Sequence, residues 1–419
     1  MTAVRPRVQN SPLAPRVKFL YDETCRKVRS MNFPLPEVFQ LLMRPPGGGI
    51  PTFSAGKGHS LPLQAILYQM ITPEMKGTLD EWTPPSIEKA WKKTLEDLKL
   101  AKVAMIGVPL DTGAGIRRGA AYGPTGVRKE LYRIPEIQTL LKAKTLIDCG
   151  DILVNPHLLH DSMLNQEQIT LCQNAMYPQA PQLLRSQLPV SALSQLKLVL
   201  QCLLSTYPQL KVQIIGGDHS VAWPVSEVFS SLYPGTLGIV QPDAHTDLLA
   251  SRLGVKYCFG TWSYHANQLL GGNGKLVQLG IRQSGRDQAH WETSTGVKQY
   301  WAHEINSQPE AQMIQTIIEH LQSKGIKNIY FSNDIDGTDE TEAAATGTPA
   351  PEGLTSHFII KLIEALGKNF NLVASDIVEV APDLAQNPKD SEITCQTAAL
   401  YLKKSIQIQV HSPPHLPKA

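Results

Sequence analysis

From residue 101 onward, short apolar runs alternate with longer amphipathic ones, and no other feature of the sequence limits the possible folds as much. The short runs are "KVAMIGVP" (102–109), "TLIDCGDI" (145–152), "KVQIIGGD" (211–218), "LGIVQPDA" (237–244), "LVQLGIR" (276–282), "NIYFSND" (328–334) and "NLVASDIVEV" (371–380). Between them lie "VSALSQLKLVLQCLLSTY" (190–207), "AQMIQTIIEHLQSKG" (311–325), "SHFIIKLIEALGK" (356–368) and "EITCQTAALYLKKSI" (392–406), with apolar residues at helical spacing. A strand with one wet face alternates apolar and polar side chains. These runs are continuously apolar, as strands covered on both faces are. The expected fold is therefore α/β: a three-layer α/β/α unit around a central, mostly parallel sheet. Ligands of such open sheets bind beyond the carboxyl ends of the strands, and the polar clusters of this sequence stand there.

The chain has 419 residues, enough for one large domain and an appendage. Residues 1–100 read as a mainly helical or irregular N-terminal extension, 101–407 as the α/β domain, and 408–419 ("HSPPHLPKA" at its end) as a flexible tail. Within the extension, "RPPGGGIP" (44–51) marks turns, and "SIEKAWKKTLEDLKL" (86–100) places Trp91, Leu95 and Leu98 on one helical stripe. Residues 154–192 are long for a connection and read as an insertion near the site. A formal net charge of +2 gives no global attraction to nucleic acid or a membrane surface, and no run of eighteen apolar residues is present. The six cysteines contain no C-x-x-C pair, which suits reduced thiols. An arginine-rich start resembles an organellar leader, but Asp22 and Glu23 count against that, and a cytoplasmic location is expected.

Three polar clusters close the apolar runs: "GGDHS" (216–220), "DAHTD" (243–247) and "DIDGTD" (334–339). Side chains at i, i+2 and i+4 of an extended chain share one side, so Asp243, His245 and Asp247 converge, as do Asp334 and Asp336. So many carboxylates in a partly buried site repel one another unless cations neutralise them. Each cluster alone has a bland reading: a capped strand end, a glycine turn entering a helix with Asp218 or Ser220 as cap, an Asx turn. Together, in this order and each at a strand end, they point to metal. Carboxylates and imidazoles without thiolates favour Mn²⁺ over a structural zinc, with Ni²⁺, Co²⁺ or Fe²⁺ also acceptable. Six ligands exceed what one ion with open positions needs, so a two-metal centre is expected, of the kind that lowers the pKa of bound water.

These clusters resemble those of the ureohydrolase family, which includes arginase, agmatinase and formimidoylglutamase. "GVPLDTGAGIRRGAAYGPTGVR" (107–128) is similar to that family's first strand and following loop. "ATGTPAPEGLTS" (345–356) resembles its G-T-P-x-x-G-L-T stretch, and "DIVEVAPDLAQNPKDSEITCQTAA" (376–399) its final strand and helix. The resemblance implies an arginase-like fold and a hydrolase acting on C–N bonds of linear amidines, with two Mn²⁺ per subunit. His219, Asp243, Asp247 and Asp334 would hold one ion, and Asp243, His245, Asp334 and Asp336 the other, with Asp243 and Asp334 bridging. Glu379 would receive the substrate guanidinium, a planar cation that a carboxylate grips through two parallel bonds. Glu379 and Asp247 are thus the implied catalytic carboxylates. Without the resemblance Glu379 reads as a strand-end salt-bridge partner. A homotrimer or homohexamer is also implied.

The sequence departs from the family beyond "DAHTD". Phe259 stands where relatives carry a histidine thought to handle protons. His265 is the nearest titratable candidate for that work, with an ordinary loop or helix histidine as its bland reading, and Cys258 is a weaker one. Glu340 replaces the usual proline after "DIDGTD". Tyr257, Phe259, Trp262 and Tyr264 form an aromatic run whose rings suit cation–π contact with a bare guanidinium, with Phe259 and Trp262 as expected substrate contacts, although some of the rings are expected simply to pack the core. Arg252 and Lys256 in the same loop would repel the ammonium of agmatine and attract a guanidino acid. Free guanidine or a short guanidino acid is therefore expected over arginine and agmatine, giving urea plus ammonia or an amine. A formimino-type amidinohydrolase and a non-catalytic metal-binding relative are the competing readings.

Overall fold

The computed structural model describes residues 23–31, 33–50, 61–71 and 83–412. Its frame is a nine-stranded sheet. In chain order the strands are β1 (Met43–Arg44), β2 (Val103–Gly107), β3 (Leu146–Ile152), β4 (Lys211–Ile215), β5 (Leu237–Pro242), β6 (Leu276–Ile281), β7 (Lys298–Trp301), β8 (Asn328–Asp334) and β9 (Asn371–Val378). Across the sheet the order is β1-β3-β2-β4-β9-β8-β5-β6-β7. Every pairing is parallel except that of β1 on β3. All seven strands expected from the sequence form, and each is buried along its whole length.

Both faces are packed, because neighbouring residues of a strand point to opposite sides. Ile214, Ile239 and Tyr330 join one apolar cluster, while Ile215, Val240 and Phe331 join the other. The helix Ala192–Thr206 is apolar almost all round because it is sandwiched. On its far side the extension helices Glu23–Ser30 and Leu35–Leu42 pack against it. The extension is thus part of the fold's core where it is described. Met43 pairs with Ile152 at the sheet edge, and the buried Trp91 indole donates to the Cys149 carbonyl at 2.8 Å.

Two strands escaped the sequence reading, β1 in the extension and β7. With two and four residues they are too short to carry a periodic signal, and "KQYW" mixes polar and aromatic residues as an edge strand does. The last helix, Pro388–His411, runs into the stretch expected to be a flexible tail, with Gln409 and Val410 buried. Residues 413–419 lie outside the described residues, as do residues 1–22 of the arginine-rich start.

Candidate active site

Four adjacent strands, β4, β9, β8 and β5, deliver the site residues from their carboxyl ends. Beyond β4 the chain turns through Gly216 and Gly217. A β-carbon on Gly217 would sit 1.7 Å from the Leu110 carbonyl oxygen, so only glycine allows this approach. The turn feeds the short 3₁₀ segment His219–Val221, capped by Asp218 through the Ser220 N–H at 2.9 Å. The sequence reads Asp218 as such a cap. The structure adds that Asp218 accepts the Gly113 N–H at 2.8 Å and so ties the loop after β2 to the His219 turn.

His219 is fully buried. Its Nε2 lies 3.1 Å from the Ser332 hydroxyl, which in turn donates to the Asp376 carboxylate at 3.0 Å. Tyr330 and the Asn333 N–H also donate to Asp376. The hydrogen of the neutral ring therefore belongs on Nε2, which turns the Nδ1 lone pair inward. There Nδ1 has no hydrogen-bond partner, yet carboxylate oxygens of Asp334, Asp243 and Asp247 stand 3.1, 3.3 and 3.3 Å away. A lone pair facing three carboxylates needs a cation between them. Burial opposes charge on the ring, but the three aspartates prevail and hold its pKa well above the usual histidine range.

A second group lies beside the first. His245 Nδ1 is 3.1 Å from Asp336 and 3.6 Å from Asp243. Burial again opposes charge, and Asp336 and Asp243 overcome it, pushing this imidazole up to about 12. Ligand atoms of His219, Asp243 and Asp334, and separately of Asp243, His245 and Asp336, lie within 4.8 Å of one another. Asp243 belongs to both groups, Asp334 to the first, and Asp247 joins through its contact with His219. Burial and the neighbouring Asp243 raise Asp247 to about 6, and burial with Asp336 and Asp243 raises Asp334 well above a normal carboxylate. Asp243 is lowered instead: burial raises it, but His219 and His245 outweigh that. The donor set, oxygen and imidazole nitrogen without sulfur, fits divalent transition ions.

Glu379 follows β9 and is half-buried. Its Oε1 accepts the His219 N–H at 2.8 Å, and its own N–H donates to the Gly217 carbonyl at 2.7 Å. Burial and then Asp218 raise its pKa well above the usual carboxylate range. Glu379 and Asp247 both hold left-handed backbone, with φ of 60° and 51°. Such conformations cost a non-glycine residue on the order of 1 kcal/mol and persist only where surrounding bonds impose them.

The residues expected to meet substrate divide. Trp262 is fully buried and donates its indole N–H to Asp247 at 2.9 Å, with its ring 4.6 Å from that of His219. The expectation that it contacts substrate is corrected: it orients the candidate ligands from behind, because a wholly buried ring has no face left for a solute. Phe259 is half-buried, its N–H donates to the Gly113 carbonyl at 3.1 Å, and the Arg252 guanidinium lies 4.8 Å over its ring. Lys256 covers Tyr257 likewise at 4.9 Å. His265 is drawn into a different assembly. Its Nε2 is 3.1 and 3.0 Å from the Ala250 and Lys256 carbonyls, and its ring packs on Trp223, Tyr257 and Tyr264. Both carbonyls are acceptors, so Nε2 carries a hydrogen and staples the loop. Burial lowers its pKa. Cys258 is buried. The 154–192 segment does reach this region, since His160 packs against Tyr257 with ring centroids 4.6 Å apart and Thr112 donates to the Pro156 carbonyl.

Sequence reasoning missed the residues behind the candidate ligands: Ser332 and Asp376 behind His219, and Gln241, whose side-chain amide donates to Asp243 at 2.7 Å. A signal was present. Gln241 and Gln278 are uncharged polar residues inside otherwise apolar strands, and a buried amide needs a partner.

Histidine and aspartate clusters at the carboxyl ends of β4, β8 and β5, with Glu379 at the end of β9 between β4 and β8, give this parallel α/β sheet the donor set of a metal-dependent enzyme. Residues 101–404 match the Arginase family model, and the chain belongs to that family. It is accordingly an enzyme of the ureohydrolase class, which acts on carbon–nitrogen bonds of guanidino groups. It is similar to the mitochondrial agmatinase of Gallus gallus, 30% identical over 67% of this chain and 74% of that one. It is also similar to the mitochondrial guanidino acid hydrolase of Homo sapiens, 29% identical over 68% of this chain and 73% of that one. Among solved structures, proclavaminate amidino hydrolase from Streptomyces clavuligerus superposes with a TM-score of 0.55 at 26% identity, over 74% of this chain and 92% of that one.

Proposed function

We propose that this chain is a binuclear-metal ureohydrolase that converts a small guanidino compound, free guanidine or a short guanidino acid, to urea plus ammonia or an amine. The observation that carries the reading is the pairing of two candidate ligand groups through Asp243 with a carboxylate, Glu379, bonded to the backbone of the ligand His219. His219, Asp243, Asp247 and Asp334 would hold one divalent ion, and Asp243, His245, Asp334 and Asp336 the other, with Mn²⁺ or Ni²⁺ suiting the donors. When bound, such ions supply Lewis acidity and an activated water.

The chain's own residues do the rest. Glu379, fixed through one oxygen, keeps lone pairs for the paired N–H donors of a guanidinium and would hold it beside the candidate ligands. The bond from His219 to Ser332 and that from Trp262 to Asp247 keep His219 and Asp247 from turning away. Phe259 stands where the family resemblance places a histidine, and His265, the candidate to replace it, is held by the Ala250 and Lys256 carbonyls, so a leaving group as small as ammonia suits the site. Arg252 over Phe259 puts a positive charge at the same loop, which favours a carboxylate-bearing or uncharged-tailed substrate over agmatine. The name of the human relative, a guanidino acid hydrolase, agrees with that direction. Because Arg252 and Lys256 already cover Phe259 and Tyr257, the rings act in this reading by shaping the mouth more than by cation–π contact.

A homotrimer or homohexamer in the cytoplasm completes the proposal, the free thiols suiting a reducing compartment. Among the described residues no helix is long and apolar enough to cross a membrane. Urea release from guanidine, guanidino acids, agmatine and arginine, each assayed with Mn²⁺, Ni²⁺ and Co²⁺, tests the function. Urea from guanidine or a guanidino acid well above that from agmatine is the expected result. No urea from any pair of compound and metal overturns it.

A further inference from the structure

Three buried glutamines stand side by side on three adjacent strands. Gln241 on β5 is the in-register partner of Gln278 on β6, and Gln278 of Gln299 on β7. None has any exposed surface. Their amides are joined head to tail. The Trp301 indole N–H donates to Gln299 Oε1 at 2.9 Å, Gln299 Nε2 to Gln278 Oε1 at 2.8 Å, and Gln278 Nε2 to Gln241 Oε1 at 2.9 Å. Gln241 Nε2 donates in turn to Asp243 Oδ2 at 2.7 Å.

The direction of this row is fixed by its ends. An indole N–H can only donate and an ionised carboxylate can only accept. Turning over any one amide between them would set donor against donor on one side and acceptor against acceptor on the other. Each bond also polarises the next in the same sense, which strengthens the last N–H in the row. Branches from the row reach the rest of the loop. Gln278 donates to the Thr246 carbonyl at 2.5 Å, between His245 and Asp247, and Ser263, beside Trp262, donates to Gln241 Oε1 at 2.7 Å.

We infer that Gln241 is a positioning residue for Asp243, the carboxylate common to both ligand groups, and that a polarised amide row running from Trp301 at the sheet edge holds it in that role. The inference rests on the two-metal reading. Asp243 has an N–H on each oxygen, from Gln241 on Oδ2 and from the His245 backbone on Oδ1 at 2.6 Å, so its plane is set before any ion arrives. A carboxylate free to rotate would have to be ordered by the ions themselves, at a cost in affinity.

The test is calorimetric titration of metal-free protein with Mn²⁺, together with the unfolding temperature of the metal-free form. Gln241→Met keeps length and removes the donor without adding charge. Mn²⁺ affinity should fall by about 10- to 100-fold, the usual effect of removing a bond behind a ligand. Gln213→Met serves as the control, since Gln213 is equally buried in β4 but bonds Ser375 instead of the cluster. A general packing role would make the two variants alike in unfolding temperature and leave the affinity of both at that of the parent, and that result overturns the inference. Should Gln241→Met fail to fold, Trp301→Phe reads the row from its half-exposed far end. It should weaken Mn²⁺ binding about 2- to 5-fold with unfolding unchanged, and unaltered affinity there overturns the inference equally. A parent protein that binds neither Mn²⁺ nor Ni²⁺ overturns the two-metal reading and this inference with it. A parent that binds Mn²⁺ no more tightly than Gln241→Met overturns the inference alone.

Discussion

The candidate ligand cluster and the aromatic loop that follows it are neighbours in sequence but are held in different ways. Asp243 and Asp334 sit at strand ends and His219 on the tight turn after β4, and each has named hydrogen-bond partners among buried groups. The loop from Leu248 to Thr261 is held largely by stacked side chains, Trp223 on Tyr257, His160 on Tyr257 and Arg252 over Phe259, with hydrogen bonds to its backbone from His265 as staples. Leu253 at its tip is 99% exposed and in left-handed backbone. Directional bonds to rigid strands fix atoms to tenths of an ångström, as coordination requires. Ring packing fixes a shape and permits exchange of one ring for another. The comparison teaches that a rigid candidate ligand cluster and a loop whose packing tolerates change can be encoded a few residues apart, one at the sheet and one beyond it.

The largest effect should follow from breaking the cluster at its shared member. Asp243→Ala should remove ligands from both groups, cutting turnover by at least ~10³-fold. Bound metal measured by elemental analysis should fall from two ions per chain toward none, whereas His219→Ala should leave about one. Two retained ions in Asp243→Ala would contradict the assignment of Asp243 to both groups. Next, Glu379→Gln keeps shape and removes charge. Metal content should stay at the parental value while kcat/KM drops by ~10²- to 10³-fold, and unchanged kinetics would return Glu379 to a structural role at the His219 turn.

Trp262→Phe separates the two regions most sharply, since the sequence assigns this residue to the loop and the structure places it behind the cluster. Loss of the indole N–H to Asp247 should weaken metal binding about 10-fold, with the ratio of activities on guanidine and guanidino acids unaltered. A changed substrate ratio with unchanged metal affinity would restore Trp262 to the substrate side. The smallest effect belongs to the loop charge. Arg252→Ala should lower kcat/KM for a guanidino acid about 3-fold relative to guanidine, the scale of a partly solvated charge contact, and raise that for agmatine by a similar factor. Steady-state comparison of the three compounds at low salt decides it, equal ratios before and after meaning that Arg252 does no more than cover Phe259.

Much of this molecule was legible from the chain alone. Continuous apolar runs alternating with amphipathic ones specify a parallel sheet, because a strand covered on both faces has no polar side to show. The carboxyl-end clusters specify chemistry, because like charges at such spacing are unstable without a cation. These are local properties, set by neighbours two to four residues away. Tertiary structure alone decided the rest. It brought Met43 beside Ile152 and Trp91 beside Cys149, folding the extension into the sheet. It sent Trp262 behind Asp247 and His265 to the loop carbonyls, since which face of a helix meets which carboxylate depends on how the helix docks. It also aligned Gln241, Gln278 and Gln299, from strands 37 and 21 residues apart in sequence, into one row. Strand register is a property of pairing, and no single strand carries it.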